Sequence, residues 1–421
     1  MAHLRDALPR PGPRLAPATR IVLYSHDTMG LGHVRRNLAI ARGVAEADFD
    51  ASTLLICGAR EAGALAMPPG VDCVTLPGLR KELGGQYDAR SLDVTLRELI
   101  ELRSRAIDSV IASFRPDVLV VDNVPRGACG ELERTLVRLR REGRTRCVLG
   151  LRDVLDDAAA VRQEWHTRGN RAAIAAWYDA VWIYGDPRLL DPVVEYDLGP
   201  EVAAKARYVG YLDRTMAPRP RQEVAVPGAP FALCLVGGGQ DGFEVADAFA
   251  RARMADGLQR VLVTGPFMPA DLRSTLEGLA AADPTLTVHA FVDEPTALIA
   301  RAEAVVCMGG YNTVNEVLSY RSRALVVPRV APRLEQLVRA TRLRDLGLVD
   351  MLLPAELTPA AVAGWLSRRH LPPRPAHRLD LDGLRRIPQL LLDLVGGCPS
   401  ARLPLAPVAL PAPRSAVNAS C

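Results

Sequence analysis

The chain has 421 residues, 49% hydrophobic, 24% charged and only 5% aromatic, which suits a folded protein of two to three domains of about 100–200 residues each. A net charge of +4 is too small to imply a nucleic-acid partner, and no run of about 18 apolar residues is present to span a membrane. The eight cysteines form no C-x-x-C pair, which argues against a zinc site and for a reducing, cytoplasmic setting.

Residues 1–19 carry charges and prolines around no apolar core and read as a disordered arm. Short apolar runs then alternate with longer helical patterns. RIVLYS (20–25), STLLIC (52–57), DVLVVD (117–122), RCVLGL (146–151) and AVWIYG (180–185) predict strands. VRRNLAIARGVAEA and LDVTLRELIELRSRAIDSVIASF carry apolar residues at helical spacing. This rhythm predicts a parallel sheet covered on both faces over residues 20–210. The Pro-rich stretch 211–230 reads as a linker.

A second series, FALCLV, RVLVTG, LTVHAF, AEAVVCM and ALVVP, occupies residues 231–375, with helices near 242–254, 269–281, 312–319 and 333–346. A last helix within 376–397 is expected to pack back across the first domain, and the Pro- and Ala-rich residues 398–421 read as a disordered tail. The expected fold class is α/β, with two Rossmann-like, doubly wound domains facing a cleft.

Each half opens with a strand running into glycines. In YSHDTMGLGHVRRN, Gly30 and Gly32 precede a helix; in LCLVGGGQDGFEVADAF, Gly237, Gly238, Gly239 and Gly242 do. Such turns let a backbone approach an anion at a helix N-terminus. The first loop is a partial dinucleotide fingerprint, but Arg35 stands where the third glycine belongs. The second strand, moreover, ends in Cys57-Gly58 rather than an acid, so no nicotinamide cofactor is expected.

His33 enters its helix at the carboxyl edge of strand one, where ligands of open α/β sheets bind. An imidazole there could take a proton from an acceptor hydroxyl, or be an ordinary loop residue. Asp122, Asn123, Arg152 and Asp153 end strands facing the same cleft and are candidate acceptor contacts. Asp122 is the alternative base, and each of the four could equally be a loop cap. The Arg-dense helix ELERTLVRLRREGRTR reads as a solvated face, with attraction to a membrane surface as the alternative.

In VVCMGGYNTVNEVLSY, Gly309 and Gly310 end a strand, and Asn312 or Thr313 is expected to cap the following helix. The free N–H groups of that turn suit a phosphate. Glu316, one turn further, could accept hydrogen bonds from ribose hydroxyls, or be a solvated acid near a helix N-terminus. Glu335 and Gln336 stand at the next strand-to-helix junction. Two Asp-x-Asp triplets, at 48–50 and 380–382, follow no strand in the manner of a metal site and read as chance. Glycine-loop N–H groups and helix dipoles would then carry a diphosphate without metal.

The GGGQDG loop, VTGP, FVDEPTALIARAEAVVCMGGYNTVNE and VPRVAPRLEQ, covering most of 230–350, resemble the C-terminal domain of glycosyltransferase family 28, a group with the two-domain GT-B architecture. The resemblance implies that Gly238, Gly239, Gln240, Gly265, Gly309, Gly310, Asn312 and Thr313 line a nucleotide-sugar donor. It implies that Phe291 and Val292 hold uracil, that Glu316 holds ribose, and that Glu335 and Gln336 contact the donor sugar. The family usually carries Gln-Gln or Asp-Gln at that pair, so Glu335 is a departure.

The first half resembles the family only through MGLGHVRRN. Its VDNVPRGACGELERTLVRLR and VLGLRDVLDD are similar to a less characterised group of predicted glycosyltransferases. The acceptor (glycan, lipid-linked or small molecule) therefore stays open. The implied activity is an inverting hexosyl transfer from a UDP sugar, with no metal and no cofactor beyond the co-substrate, and His33 as first choice of base. A UDP-sugar epimerase of the same fold and a non-catalytic sugar-nucleotide sensor are the rivals. The expected setting is cytoplasmic, with peripheral contact at the inner face of the membrane.

Overall fold

The computed structural model describes residues 18–27, 32–81, 87–216, 225–254, 257–292, 294–368 and 379–396. Gly30, residues 1–17 of the arm, the middle of the linker and the 398–421 tail lie outside the described residues.

The first half runs β1 (Thr19–Ser25), α1 (Gly32–Glu46), β2 (Ala51–Cys57) and β3 (Val71–Thr75), then an antiparallel pair, β4 (Leu79–Lys81) and β5 (Tyr87–Ala89). It continues α2 (Leu96–Phe114), β6 (Val118–Asp122), α3 (Glu133–Glu142) and β7 (Arg146–Arg152). After α4 (Ala158–Thr167) and α5 (Asn170–Trp177) come β8 (Ala180–Tyr184), α6 (Pro192–Glu195), α7 (Pro200–Lys205) and β9 (Ala206–Tyr208). Seven strands form one parallel sheet in the order β3-β2-β1-β6-β7-β8-β9.

The second half runs β10 (Phe231–Leu235), α8 (Phe243–Ala250), β11 (Gln259–Val263), α9 (Ala270–Ala282), β12 (Leu286–His289) and α10 (Thr296–Arg301). It goes on through β13 (Ala304–Cys307), α11 (Tyr311–Tyr320), β14 (Ala324–Val326), α12 (Glu335–Asp345), β15 (Asp350–Met351) and α13 (Pro359–Ser367). Its parallel sheet has the order β12-β11-β10-β13-β14-β15. The last helix, α14 (Gly383–Gly396), lies against α1, where a Cβ on Gly43 would stand 3.0 Å from the Leu384 carbonyl oxygen.

The two doubly wound domains expected from the strand rhythm are present. The central strands read as unbroken apolar runs because helices cover both faces of each sheet. Successive residues of β1 serve opposite cores: Ile21 and Leu23 join one apolar cluster, Val22 and Tyr24 the other. Strand order reverses between β1 and β6 in the first sheet and between β10 and β13 in the second. Ligands of such sheets bind beyond the carboxyl ends of the strands at these reversals.

Candidate active site

At the first reversal, β1 ends in Ser25-His26-Asp27. Asp27 turns the chain with φ of 40°, and its Oδ1 accepts a 3.0 Å hydrogen bond from the Val34 amide. This ties the strand end to the first turn of α1 and sets His33 over the end of β6. His33 Nδ1 lies 2.8 Å from Asp122 Oδ2. Arg36, one turn into the same helix, places Nη2 2.7 and 2.6 Å from the two Asp122 oxygens and 2.9 Å from His33 Nδ1.

Asp122 and Arg36 are buried, whereas the His33 side chain keeps 19% of its surface. Burial opposes the Asp122 charge, but the Arg36 guanidinium and the His33 imidazole outweigh it and hold the carboxyl well below its usual range. The two alternative bases of the sequence reading are thus hydrogen-bonded to each other. With Nδ1 engaged by the carboxylate, Nε2 is the nitrogen left for a substrate.

At the second reversal, the loops after β10 and β11 are pressed together. Gly239 (φ 90°) and Gly265 (φ 85°) sit where a Cβ would come within 2.2 Å of the Thr264 oxygen and 2.4 Å of the Gly237 oxygen, so only glycine fits. Gly238 and Gln240 are exposed beside them. After β13, Gly309 (φ 82°) and Gly310 lead into α11, whose first three N–H groups precede the first intrahelical bond, from Val314 to Gly310.

The expected cap at Asn312 or Thr313 is not found. Gly310 is the N-cap, without a side-chain bond, because the helix already begins at Tyr311. Asn312 therefore falls on the second helical position, and its Nδ2 donates across the cleft to the Gly32 carbonyl at 2.9 Å. Thr313 is half-buried beside it.

Glu316 is buried rather than solvated, and that burial pushes its carboxyl up. Arg35 of the first domain reaches it at 3.5 Å and Glu294 at 3.4 Å, while Arg214 takes the other Glu294 oxygen at 3.1 Å. Phe291 is 47% exposed, but Val292 is packed into the core, so Val292 can offer a ligand only its backbone.

β13 and β14 are paired, which makes the Gly309 and Glu335 junctions neighbours. Glu335 lies 2.9 Å from Arg152 and 3.4 Å from Arg329. Burial opposes its charge, and the surrounding arginines, Arg152 first, still hold it below the usual range. Gln336 Oε1 accepts from the Arg329 amide at 3.0 Å. Asn123 follows Asp122 with φ of 69°, its amide donating to the Gly150 carbonyl at 2.8 Å.

Asp153 does not face open cleft in this arrangement. It is fully buried against Arg339 of α12 (2.7 Å), and Tyr211 donates to its other oxygen at 2.7 Å. The same arginine donates to the Gly309 carbonyl at 3.1 Å, so Asp153 joins the domains directly behind the second glycine turn.

The structure therefore brings Gly32, His33, Asp122, Asn312 and Glu316 into one connected site and places Glu335 and Arg152 together beside it. Arg35, Arg36 and Arg339 were not singled out in the sequence as site residues. The one signal for the first two was the Arg-Arg that replaces glycine in GLGHVRRN. Among the described residues, no group of three or more His, Cys, Asp or Glu is placed to hold a metal. Asp380 of the second triplet binds Arg386 and the Asp382 amide. No helix among the described residues is long and apolar enough to cross a membrane.

Residues 233–374 match the glycosyltransferase family 28 C-terminal domain. Over 145 residues, 34% of the chain, the sequence is 30% identical to the UDP-N-acetylglucosamine–N-acetylmuramyl-(pentapeptide) pyrophosphoryl-undecaprenol N-acetylglucosamine transferase of Rhizobium etli, covering 39% of that protein. The protein of the same description from Verminephrobacter eiseniae is 26% identical over 47% of this chain and 56% of its own length. The chain thus spans between about a third and just over half of the curated relatives it matches.

Among solved structures, MurG of Acinetobacter baumannii superposes with a TM-score of 0.55 at 14% identity, over 90% of this chain and 99% of that one. The glycotransferase of kitacinnamycin gives 0.54 at 17% identity, over 90% and 97%. A structure described as a UDP-N-acetylglucosamine 2-epimerase from Listeria monocytogenes gives 0.58 at 11% identity, over 90% and 97%. At these identities the likeness is one of fold, and that fold is the two-domain GT-B architecture.

Proposed function

We propose that the chain is a glycosyltransferase that moves a sugar from a UDP-sugar donor on the second domain to an acceptor hydroxyl on the first, inverting the anomeric centre without a metal. The observation that carries this reading is the seating of the His33–Asp122 pair beside the glycine-led turn of α11, joined through Asn312 and Gly32 at 2.9 Å. The match of residues 233–374 to a family 28 domain supports the donor side.

In this reading the diphosphate rests on Gly309, Gly310 and the free N–H groups of α11. The ribose hydroxyls meet Glu316, which requires Arg35 to leave it. Phe291 flanks the base, and Glu335 and Gln336 face the sugar. The acceptor hydroxyl gives its proton to His33 Nε2 as its oxygen attacks the anomeric carbon from the face opposite the diphosphate. Asp122 orients the ring and stabilises the imidazolium. The bond to the diphosphate breaks, and the helix N-terminus meets the charge left on it.

The curated relatives are described as N-acetylglucosamine transferases, so UDP-N-acetylglucosamine and a lipid-linked muramyl peptide are the first pair to test. Transfer seen by product mass with UDP release supports the reading. A manno epimer formed without acceptor would assign an epimerase instead. UDP binding with no turnover across a panel of nucleotide sugars and acceptors would assign a sensor.

A further inference from the structure

Arg35 enters the steps above only by withdrawing from Glu316. Resting on the reading of the second domain as a UDP-sugar site, we propose that Arg35 is itself a ligand group: on donor binding its guanidinium passes from Glu316 to the diphosphate, so that the first domain supplies a cation to the leaving group.

The contacts that hold Arg35 are the loose ones of its cluster. From the first turn of α1 it crosses the cleft, and its Nη2 lies 3.4 Å from a Glu294 oxygen and 3.5 Å from a Glu316 oxygen. Both distances exceed those of a good N–H···O bond. The Arg35 side chain keeps 21% of its surface, whereas both glutamates are buried. Arg214 takes the other Glu294 oxygen at 3.1 Å and is fixed in place, since its own amide donates to the Ser319 hydroxyl of α11 at 2.8 Å.

Withdrawal of Arg35 therefore strands neither acid. Glu294 keeps Arg214, and Glu316 gains the ribose hydroxyls. Burial already pushes the Glu316 carboxyl up against the pull of both arginines, so Arg35 is not what allows it to stay buried.

The released guanidinium meets a new anion close by. The starts of α1 and α11 abut, because Asn312 Nδ2 donates to the Gly32 carbonyl at 2.9 Å. Glu316 stands four residues beyond Asn312, about 6 Å along the helix axis. A guanidinium that swings back by that distance on its flexible stem comes level with the Gly309-Gly310 turn, where the diphosphate rests in this reading. The helix N-terminus offers only about half a unit of positive charge there, less than the charge on a diphosphate. A guanidinium adds a full unit and a fork of donors that matches phosphate oxygens. One half of the ligand thus displaces Arg35, and the other half receives it.

The test is calorimetry on the full chain with two ligands, uridine and UDP. Uridine carries the hydroxyls that compete with Arg35 but no phosphate. Arg35→Ala should bind uridine at least as tightly as the parent does, and UDP about ten- to a hundredfold more weakly. Arg35→Lys, which keeps the charge but not the fork, should recover part of the UDP affinity.

If Arg35→Ala binds both ligands more tightly, Arg35 is only a competitor for Glu316, and the proposal is overturned. Equal losses for uridine and UDP, or no change in either, overturn it as well. Should the alanine variant not fold, Arg35→Gln keeps a donor for Glu294 and should show the same split between the two ligands. A parent that binds UDP, with an unaltered preference for UDP over uridine in the variants, loses the role of Arg35 and keeps the donor reading. A parent that binds neither ligand loses both.

Discussion

The His33 imidazole and the Asp122 carboxylate meet at 2.8 Å although 89 positions separate them in the chain. Nothing local brings them together: the parallel pairing of β1 with β6 does. A pair built in this way should behave as one unit.

His33→Ala is expected to lower kcat by about 10²–10⁴-fold, with UDP affinity nearly unchanged. Asp122→Asn should fall by a similar order, and the double variant should be little slower than His33→Ala alone. Steady-state kinetics on the three variants check this; losses that multiply would mean that the two residues act separately.

Glu316 predicts opposite effects on binding and on stability. Burial raises its carboxyl, against the pull of Arg35 and Arg214, so the fold prefers it protonated. Its contribution to stability is full below the ordinary carboxyl value of 4.5 and is lost as pH rises through the higher folded value. Glu316→Gln should therefore be more stable than the parent at pH 7, with the gap closing toward pH 4. The same variant should lose roughly 1–3 kcal/mol of UDP affinity. Urea unfolding across pH and calorimetry with UDP read the two effects.

The Asp153–Arg339 pair is fully buried between the domains. Removing one partner leaves a charge without its counter-ion, so Asp153→Asn or Arg339→Met should cost about 3–5 kcal/mol in urea unfolding. Replacing both by apolar residues should cost less than either alone.

If glycine turns and helix N-termini carry the leaving diphosphate, EDTA should leave turnover largely intact. Activity abolished by EDTA and restored by Mn²⁺ would reopen the reading of the Asp-x-Asp triplets.

The central strands were legible in the sequence because a strand covered on both faces must be apolar along its length, as DVLVVD is. The edge strands β3, β9 and β15 were not, since their residues are only partly buried and VDCVT, ARY and DM form no apolar run. Within the site, glycines at strand ends marked both turns. The roles of Arg36, Arg339 and Asn312 were hidden because each is defined by a partner in a distant part of the chain. Spacing reports a helix face, and it says nothing of which domain that face will meet. Asp153 shows the same limit: its place at a strand end was readable, its burial against α12 was not.

The chain passes between the domains near Tyr211 and returns to the first domain with α14, and these two crossings are fastened to each other. The Tyr211 amide donates to the Asp380 carbonyl at 2.7 Å, and the Gly383 amide donates back to the Tyr211 carbonyl at 3.0 Å. Two tethers joined at one point act as a pivot. Any turn of one lobe against the other would have to carry both crossings together about this point. A turn about a fixed point would keep α11 facing α1, where Asn312 meets the Gly32 carbonyl.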